Sequence, residues 1–391
     1  MMPFDILING GGIAGPCLAY WLTRHGHAVT ITEQARELRT GGQAVDFRGP
    51  SLEVLEKMGL LPEVRENATN MGPLILVDGR GKEVGRLPAE VISGELEIFW
   101  GDLARIVHQA IRDDVDFRFG VRVAALTDHR DRVEATFSDG STEHYDLVIG
   151  ADGLHSEIRQ LVFGPEEQCV TQLGQVFGYF DIENRQRLDH RGVASSLPGR
   201  TAVLQATDPD KPARASFYLT DADIDFDYRD TERNKTMFAE RFAGIGWQVP
   251  DFVQALVTAD PVYFDSIAQV HLDGYSRGRV CLIGDAAWCA SPRSGMGTSL
   301  AVVGAYVLAQ ELQAAGDDFP AAFAGYQRLL APYAARCQKL AVDNLKMDKY
   351  SAGWAGRVRN IGLKFLRIPV VRNQVIRQSL AVGRSFALPS Y

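Results

Sequence analysis

The run Gly10-Gly-Gly12-Ile13-Ala14-Gly15 sets the strongest limit on what this chain can fold into. It follows a short apolar segment, Phe4 to Ile8, and precedes a helical stretch, Pro16 to His25, that Gly26 stops. Ala28 to Glu33 then supplies a second strand. The order is strand, glycine turn, helix, strand, with the GxGxxG spacing of a dinucleotide fold. Gly10 permits the tight turn, Gly12 lets the backbone approach a pyrophosphate, and Gly15 lets helix and strand pack closely. Pro16 costs little, because an N–H in the first helical turn has no intrahelical partner to lose. The helix start, with Ile13 and Ala14, offers free N–H groups and the positive end of the helix dipole to that pyrophosphate. Glu33 lies 23 residues after Gly10, placed to accept hydrogen bonds from ribose hydroxyls. An acid there disfavours a 2′-phosphate, so the site suits FAD or NAD more than NADP. The fingerprint alone leaves FAD and NAD open.

Two later segments repeat this plan. Asp146 to Ile149 reads as a buried strand, and Asp152-Gly153 as a tight turn before a helix start at Ser156 to Arg159. Val280 to Ile283 is another apolar strand, ending at Gly284-Asp285. Ligands of open α/β sheets bind at the carboxyl ends of strands, where the Asp285 carboxylate could hold a ribityl hydroxyl. Pro292-Arg-Ser-Gly295-Met296-Gly297 then leads into a long helix, Thr298 to Leu312. Glycines before a helix start expose several N–H groups. Aimed at the pyrimidine edge of a flavin, they would stabilise the negative charge of the reduced ring.

Between these segments the texture changes. Val176 to Ile182, Thr201 to Ala206 and Ala213 to Leu219 are strand-like stretches between polar turns, followed by a helix near Thr231 to Phe242. They predict a mostly antiparallel sheet inserted into an α/β fold. A length of 391 residues supports such a division. The expected boundaries are 1–71, 102–170 and 275–330 for the dinucleotide domain, 72–101 and 171–274 for a substrate domain, and 331–391 for C-terminal helices.

Charge and cysteines exclude other classes. The net charge is −8, yet Lys349 to Tyr391 holds eight Lys/Arg and no acid, leaving 33 basic against 49 acidic residues elsewhere. An acidic body with a basic tail does not predict a nucleic-acid partner. Five scattered cysteines with no CxxC pair predict neither a disulfide framework nor a zinc site, and the cytoplasm is the expected compartment. No apolar run approaches the roughly 18 residues of a membrane span, so no stable membrane insertion is expected. No Ser/His/Asp or metal constellation is evident, which is consistent with a cofactor carrying the chemistry.

Taken together, the three segments resemble the single-component (group A) FAD-dependent monooxygenases of the p-hydroxybenzoate hydroxylase fold. Within that family the chain looks most similar to tetracycline-inactivating monooxygenases and polyketide-tailoring hydroxylases. The stretches that carry this are Gly41-Gly-Gln-Ala-Val-Asp46-Phe-Arg48-Gly49, Gly295 to Tyr306, and the terminal Leu388-Pro-Ser-Tyr391. The resemblance implies FAD as cofactor, with NADPH as a transient co-substrate. It implies hydroxylation of an electron-rich aromatic or polyketide-like small molecule through a C4a-hydroperoxyflavin. It adds Asp46, Arg48, Asp152 and Gly295 to Gly297 to the cofactor residues, with Asp152-Gly153 serving both nucleotides. It places Tyr179 and Arg200 near substrate; Phe177 and Phe217, which alternate with polar neighbours, read as pocket or core filler, with Phe217 counted among the substrate-side residues. A monomer is expected.

Two positions depart from the family pattern. Trp100 stands where an arginine usually reaches the flavin, and Trp288 follows Gly-Asp-Ala-Ala where His or Tyr is common. Trp100 keeps open an FAD dehydrogenase or oxidase that inserts no oxygen. The basic tail, Trp354 to Arg384, carries Val358, Ile361, Phe365 and Ile368 at roughly helical spacing, which predicts a helix packed across the domains or lying over the substrate mouth.

Overall fold

Ile6, Leu7 and Ile8 are wholly buried because their strand, Asp5–Asn9, is flanked on both edges. In this computed structural model, which describes residues 3–39, 41–221, 224–349 and 368–391, it pairs in parallel with Ala28–Glu33 on one side and Leu147–Gly150 on the other. A strand covered on both faces and both edges needs a continuous apolar run, which this sequence supplies. Val280–Leu282 adds outside Leu147–Gly150, and Asp116–Phe119 outside Ala28–Glu33. A short antiparallel strand, Ser276–Arg277, completes the six-stranded sheet. The helices Ala14–Arg24 and Gly297–Ala315 pack together against the sheet, with Trp21 edge-on to Tyr306 at 5.1 Å between ring centres.

The second sheet has seven strands, in the order Tyr263–Val270, Val170–Ile182, Ala213–Thr220, Arg200–Ala206, Arg191–Leu197, Leu74–Val77 and Glu83–Leu87. All neighbours are antiparallel except Arg191–Leu197 with Leu74–Val77. The long strand Val170–Ile182 starts six residues earlier than its sequence texture shows. Gly174, at φ +73°, absorbs a register shift there, so the strand pairs with Val270 before the break and with Ser266 after it. One face of this sheet is roofed by the helices Thr231–Phe242 and Val249–Thr258, around Phe180, Phe217, Phe238 and Phe242. Leu96–Phe99 pairs with Ala44–Phe47 in a separate two-stranded sheet.

Trp288 is not at a ligand surface. It is 1% exposed and packs with Tyr275 and Tyr326 at 5.2 and 5.5 Å between ring centres. Gly304 makes room for it, since a Cβ there would sit 2.8 Å from the indole. The departure at position 288 is therefore one of packing. Gly304→Val is expected to destabilise by about 1–3 kcal/mol through overpacking, read as a fall in Tm, and Trp288→Phe in the same chain should recover part of it.

The C-terminal part is helical over Phe319–Lys349 and Pro369–Ala381. Val358, Ile361 and Phe365 lie outside the described residues, while Ile368 is exposed. No helix among the described residues is long and apolar enough to cross a membrane.

Candidate functional site

The glycine turn has the geometry its spacing predicts. Gly10 sits at φ +119°, and a Cβ there would lie 2.4 Å from the Ala151 carbonyl oxygen. A Cβ on Gly15 would lie 2.1 Å from the Gly10 carbonyl oxygen. Gly12 is different, because its nearest neighbour would be the Trp100 ring at 3.7 Å. Two of the glycines thus close the turn, and the middle one leaves open space beside it. Glu33 accepts from the Gly11 N–H at 2.9 Å on one oxygen and from the Ala35 N–H at 2.8 Å on the other. Those bonds fix the carboxylate and leave lone pairs for ribose hydroxyls.

The third segment is drawn onto this turn. Gly284, at φ +61°, passes so close to the first helix that a Cβ would meet the Ala14 side chain at 2.9 Å. Asp285 follows within solvent reach, while surrounding protein crowds its carboxyl. A group both accessible and crowded lies on the floor of a cleft, and the partial desolvation raises its pKa. A Cβ on Gly297 would find only the Asp285 carboxylate, at 3.9 Å. Gly295 continues the line, its Cβ position 3.3 Å from both the Arg48 guanidinium and the Asp46 carboxylate. Asp46 is held by Arg48 at 3.2 Å and by the Gly94 N–H at 2.9 Å. Burial pushes its carboxyl up to about 6, against the opposing pull of Arg48. The Arg48 N–H bonds the Ser299 hydroxyl at 3.1 Å, tying this loop to the long helix.

An extended groove results, from Glu33 past Gly12 to Asp285, Gly297 and Asp46. Neither helix that starts on it, Ala14–Arg24 or Gly297–Ala315, has a side-chain cap or an acid in its first turn. Such helix starts favour negative charge, so the residues present fit an anionic dinucleotide. Asp152 has a more local task. Its carboxyl accepts from the Asn9 amide at 2.9 Å, from the Ile158 N–H at 3.1 Å and from the Ser156 hydroxyl. It ties the first strand to the second turn.

The unroofed face of the second sheet borders this groove with aromatic rings. Phe177, Tyr179, Tyr218 and Tyr263 share that face, with Tyr179 and Tyr263 stacked at 5.0 Å and Phe177 at 5.9–6.4 Å from the other three. Arg214 lies over Tyr179 at 5.0 Å and binds Asp181 at 2.7 Å and the Gly42 carbonyl. Arg293 lies over Tyr218 at 4.9 Å, two residues before Gly295. The Tyr263 hydroxyl donates to Asp265 at 2.8 Å. Asp265 also bonds His155 Nε2 at 3.2 Å, and His155 Nδ1 bonds Glu166 at 3.0 Å. Tyr228 stacks on that imidazole at 3.7 Å. Burial alone would lower the His155 pKa, but the two carboxylates outweigh it and hold it at about 9.

Residues 3–346 match the profile of the FAD binding domain family. The chain belongs to this family. It is 40% identical to an uncharacterised protein of Mycobacterium tuberculosis over 87% of this chain and 93% of that one. It is 34% identical to a flavin-dependent monooxygenase of Legionella longbeachae, covering 86% and 87% of the two chains. Among solved structures, tetracycline destructase Tet(55) superposes with a TM-score of 0.87 at 32% identity, over the full length of both chains. The chain is thus a group A FAD monooxygenase.

Of the expected substrate-side residues, Arg200 and Phe217 lie on the roofed face of the second sheet, Phe217 as the core residue that was one of its two readings. Arg200 shares its strand face with Ala202, Leu204 and Ala206, and its guanidinium donates to the Arg241 carbonyl at 2.7 Å under the helical roof. Phe217 is wholly buried against Phe242, at 4.6 Å between ring centres. Tyr179 does lie on the aromatic face. The strand Ala213–Thr220 carried the signal for Phe217, since Ala213, Ala215, Phe217 and Leu219 alternate with Arg214, Ser216, Tyr218 and Thr220. That alternation puts Arg214 and Tyr218 opposite Phe217. His155, Tyr263 and Asp265 had no local signal, because only the pairing of Tyr179 with Tyr263 brings them together.

Proposed function

We propose that this flavoprotein hydroxylates an electron-rich, flat aromatic or polyketide-like small molecule, tetracycline-like compounds among them. NAD(P)H and O2 are its co-substrates, and bound FAD supplies the oxygen activation. The observation that carries the reading is the four-ring face flanked by Arg214 and Arg293 at the edge of the groove. Rings in that arrangement stack a planar substrate, and guanidinium groups favour an enolate or carboxylate on it. In this reading a substrate stacked on that face would exclude water from the reacting end of the groove and limit wasteful loss of oxidising equivalents. Similarity to a tetracycline destructase over the full chain supports the substrate class.

The test is mass spectrometry of products from a panel of tetracyclines and aromatic polyketides, with NADPH and 18O2. A product with one labelled oxygen is expected. NADPH consumption that yields only peroxide across the panel would refute the substrate class while leaving the flavin site intact. For a compound that is turned over, Tyr179→Ala is expected to raise KM about tenfold through lost stacking and buried area, with FAD content unchanged.

A further inference from the structure

Trp100 has no assigned role, and its surroundings give it one. It is the first residue of the helix Trp100–Gln109 and follows the strand Leu96–Phe99. Its indole edge is the nearest group to the open side of Gly12, at 3.7 Å from the Cβ position. Its own Cβ lies 2.8 Å from where a Cβ on Gly42 would be, and its N–H bonds the Gln43 carbonyl at 3.1 Å. The ring therefore stands between the phosphate turn and the 41–43 loop, half-buried, on the wall of the groove. Gly42 in turn accepts the Arg214 hydrogen bond, so the wall is continuous with the aromatic face.

Three of the arginines along this stretch are already engaged. Arg48 pairs with Asp46 at 3.2 Å, Arg214 with Asp181 at 2.7 Å, and Arg105 with Glu63 at 3.3 Å. The side chain nearest the open side of Gly12 is thus a neutral aromatic ring.

We propose that Trp100 is a cofactor-contacting residue that covers the diphosphate stretch of bound FAD with a neutral aromatic wall. The inference rests on the FAD reading of the groove. It means that FAD is held at this point by packing and backbone N–H groups instead of by an ion pair. Packing interactions are nearly indifferent to salt, whereas an ion pair at the groove surface is screened by it. An indole in contact with the dinucleotide also loses its own emission when the cofactor binds.

The experiment is titration of the apoprotein with FAD at low and high salt, for the wild type and for Trp100→Phe, Trp100→Ala and Trp100→Arg. The wild type is expected to bind FAD with a Kd that changes less than about threefold between roughly 20 and 500 mM salt. Trp100→Ala should weaken binding at least about tenfold, or about 1.4 kcal/mol, and Trp100→Phe should recover most of it. Trp100→Arg should bind more tightly at low salt and lose that gain at high salt. Quenching of tryptophan emission on binding should be smaller in Trp100→Phe than in the wild type. If Trp100→Ala fails to fold, the comparison of the Phe and Arg variants still decides. Equal affinity in all folded variants, or a wild-type salt dependence as steep as that of Trp100→Arg, would overturn the proposal. A wild-type apoprotein that takes up no FAD would instead overturn the groove reading itself.

Discussion

Gly15→Val is expected to yield a colourless protein. A Cβ at position 15 would lie 2.1 Å from the Gly10 carbonyl oxygen and 3.0 Å from the Ile8 side chain. The first of these atoms is backbone and the second belongs to the wholly buried central strand, so neither can swing aside. Relief requires the first helix to lift away from the sheet, which moves its N–H groups off the diphosphate and separates Ala14 from Gly284. Overpacking of this kind costs about 1–3 kcal/mol or more, and the geometric loss at the helix start adds to it. Affinity for FAD should fall at least about 100-fold, near 2.7 kcal/mol. Gly274→Ala is the control, since its Cβ would meet nothing closer than 3.7 Å. The ratio of absorbance at the flavin band to protein absorbance measures both. A Gly15→Val protein that purifies yellow and saturated would show that the turn does not hold the cofactor.

The second large effect concerns His155. Its ring joins Glu166, on the helix Glu166–Cys169, to Asp265, on the strand Tyr263–Val270. The pair also sits under Tyr228, and Arg159 approaches Glu166 at 4.0 Å. The imidazolium therefore cements the dinucleotide side to the aromatic sheet. Its pKa of about 9 lies above the ordinary 6.5, so the folded state binds the proton more tightly than the unfolded state. That contribution is complete below pH 6.5 and disappears as pH climbs through 9. A displacement of that size corresponds to about 3 kcal/mol at most. Glu166 is shifted the opposite way, its pKa lowered first by the bond from His155, so its share is lost in acid instead. Maximal stability from the cluster falls near pH 5–6.5. His155→Ala leaves two mostly buried carboxylates facing each other, and about 2–4 kcal/mol should be lost at pH 6. The loss should shrink towards pH 10, where the wild-type ring is already neutral. Urea unfolding of both proteins at pH 6 and pH 10 tests this. An equal difference at the two pH values would refute the charge-based account.

How much of this was legible beforehand follows from how local each signal is. The turn at Gly10 to Gly15 and the acid at Glu33 were readable because glycine spacing, helix start and strand end all lie within a few dozen residues. The helix Thr231–Phe242 was readable from its pattern, and Asp230 caps it by accepting from the Arg233 N–H. The face that Arg200 takes had no local signal, because it depends on strand parity, and one residue of phase reverses every side chain. The His155 cluster was invisible for a different reason. Its members stand 11 and 110 residues apart, and the bulge near Gly174 sets the register that joins them. The departure at Trp288 has no local explanation either, because the space for its indole comes from Gly304, sixteen residues on.

The strand order carries a consequence for biosynthesis. Leu147–Gly150 receives its outer neighbour only from Val280–Leu282, so more than a hundred residues must leave the ribosome before that margin is sealed. Until then a row of unsatisfied peptide groups on an apolar ribbon stays open to any other nascent chain. A cofactor bound along the proposed groove, beside Gly284 and Gly297, would join late and act as a clasp on a finished molecule. Riboflavin-starved cells should accordingly accumulate the polypeptide in inclusion bodies.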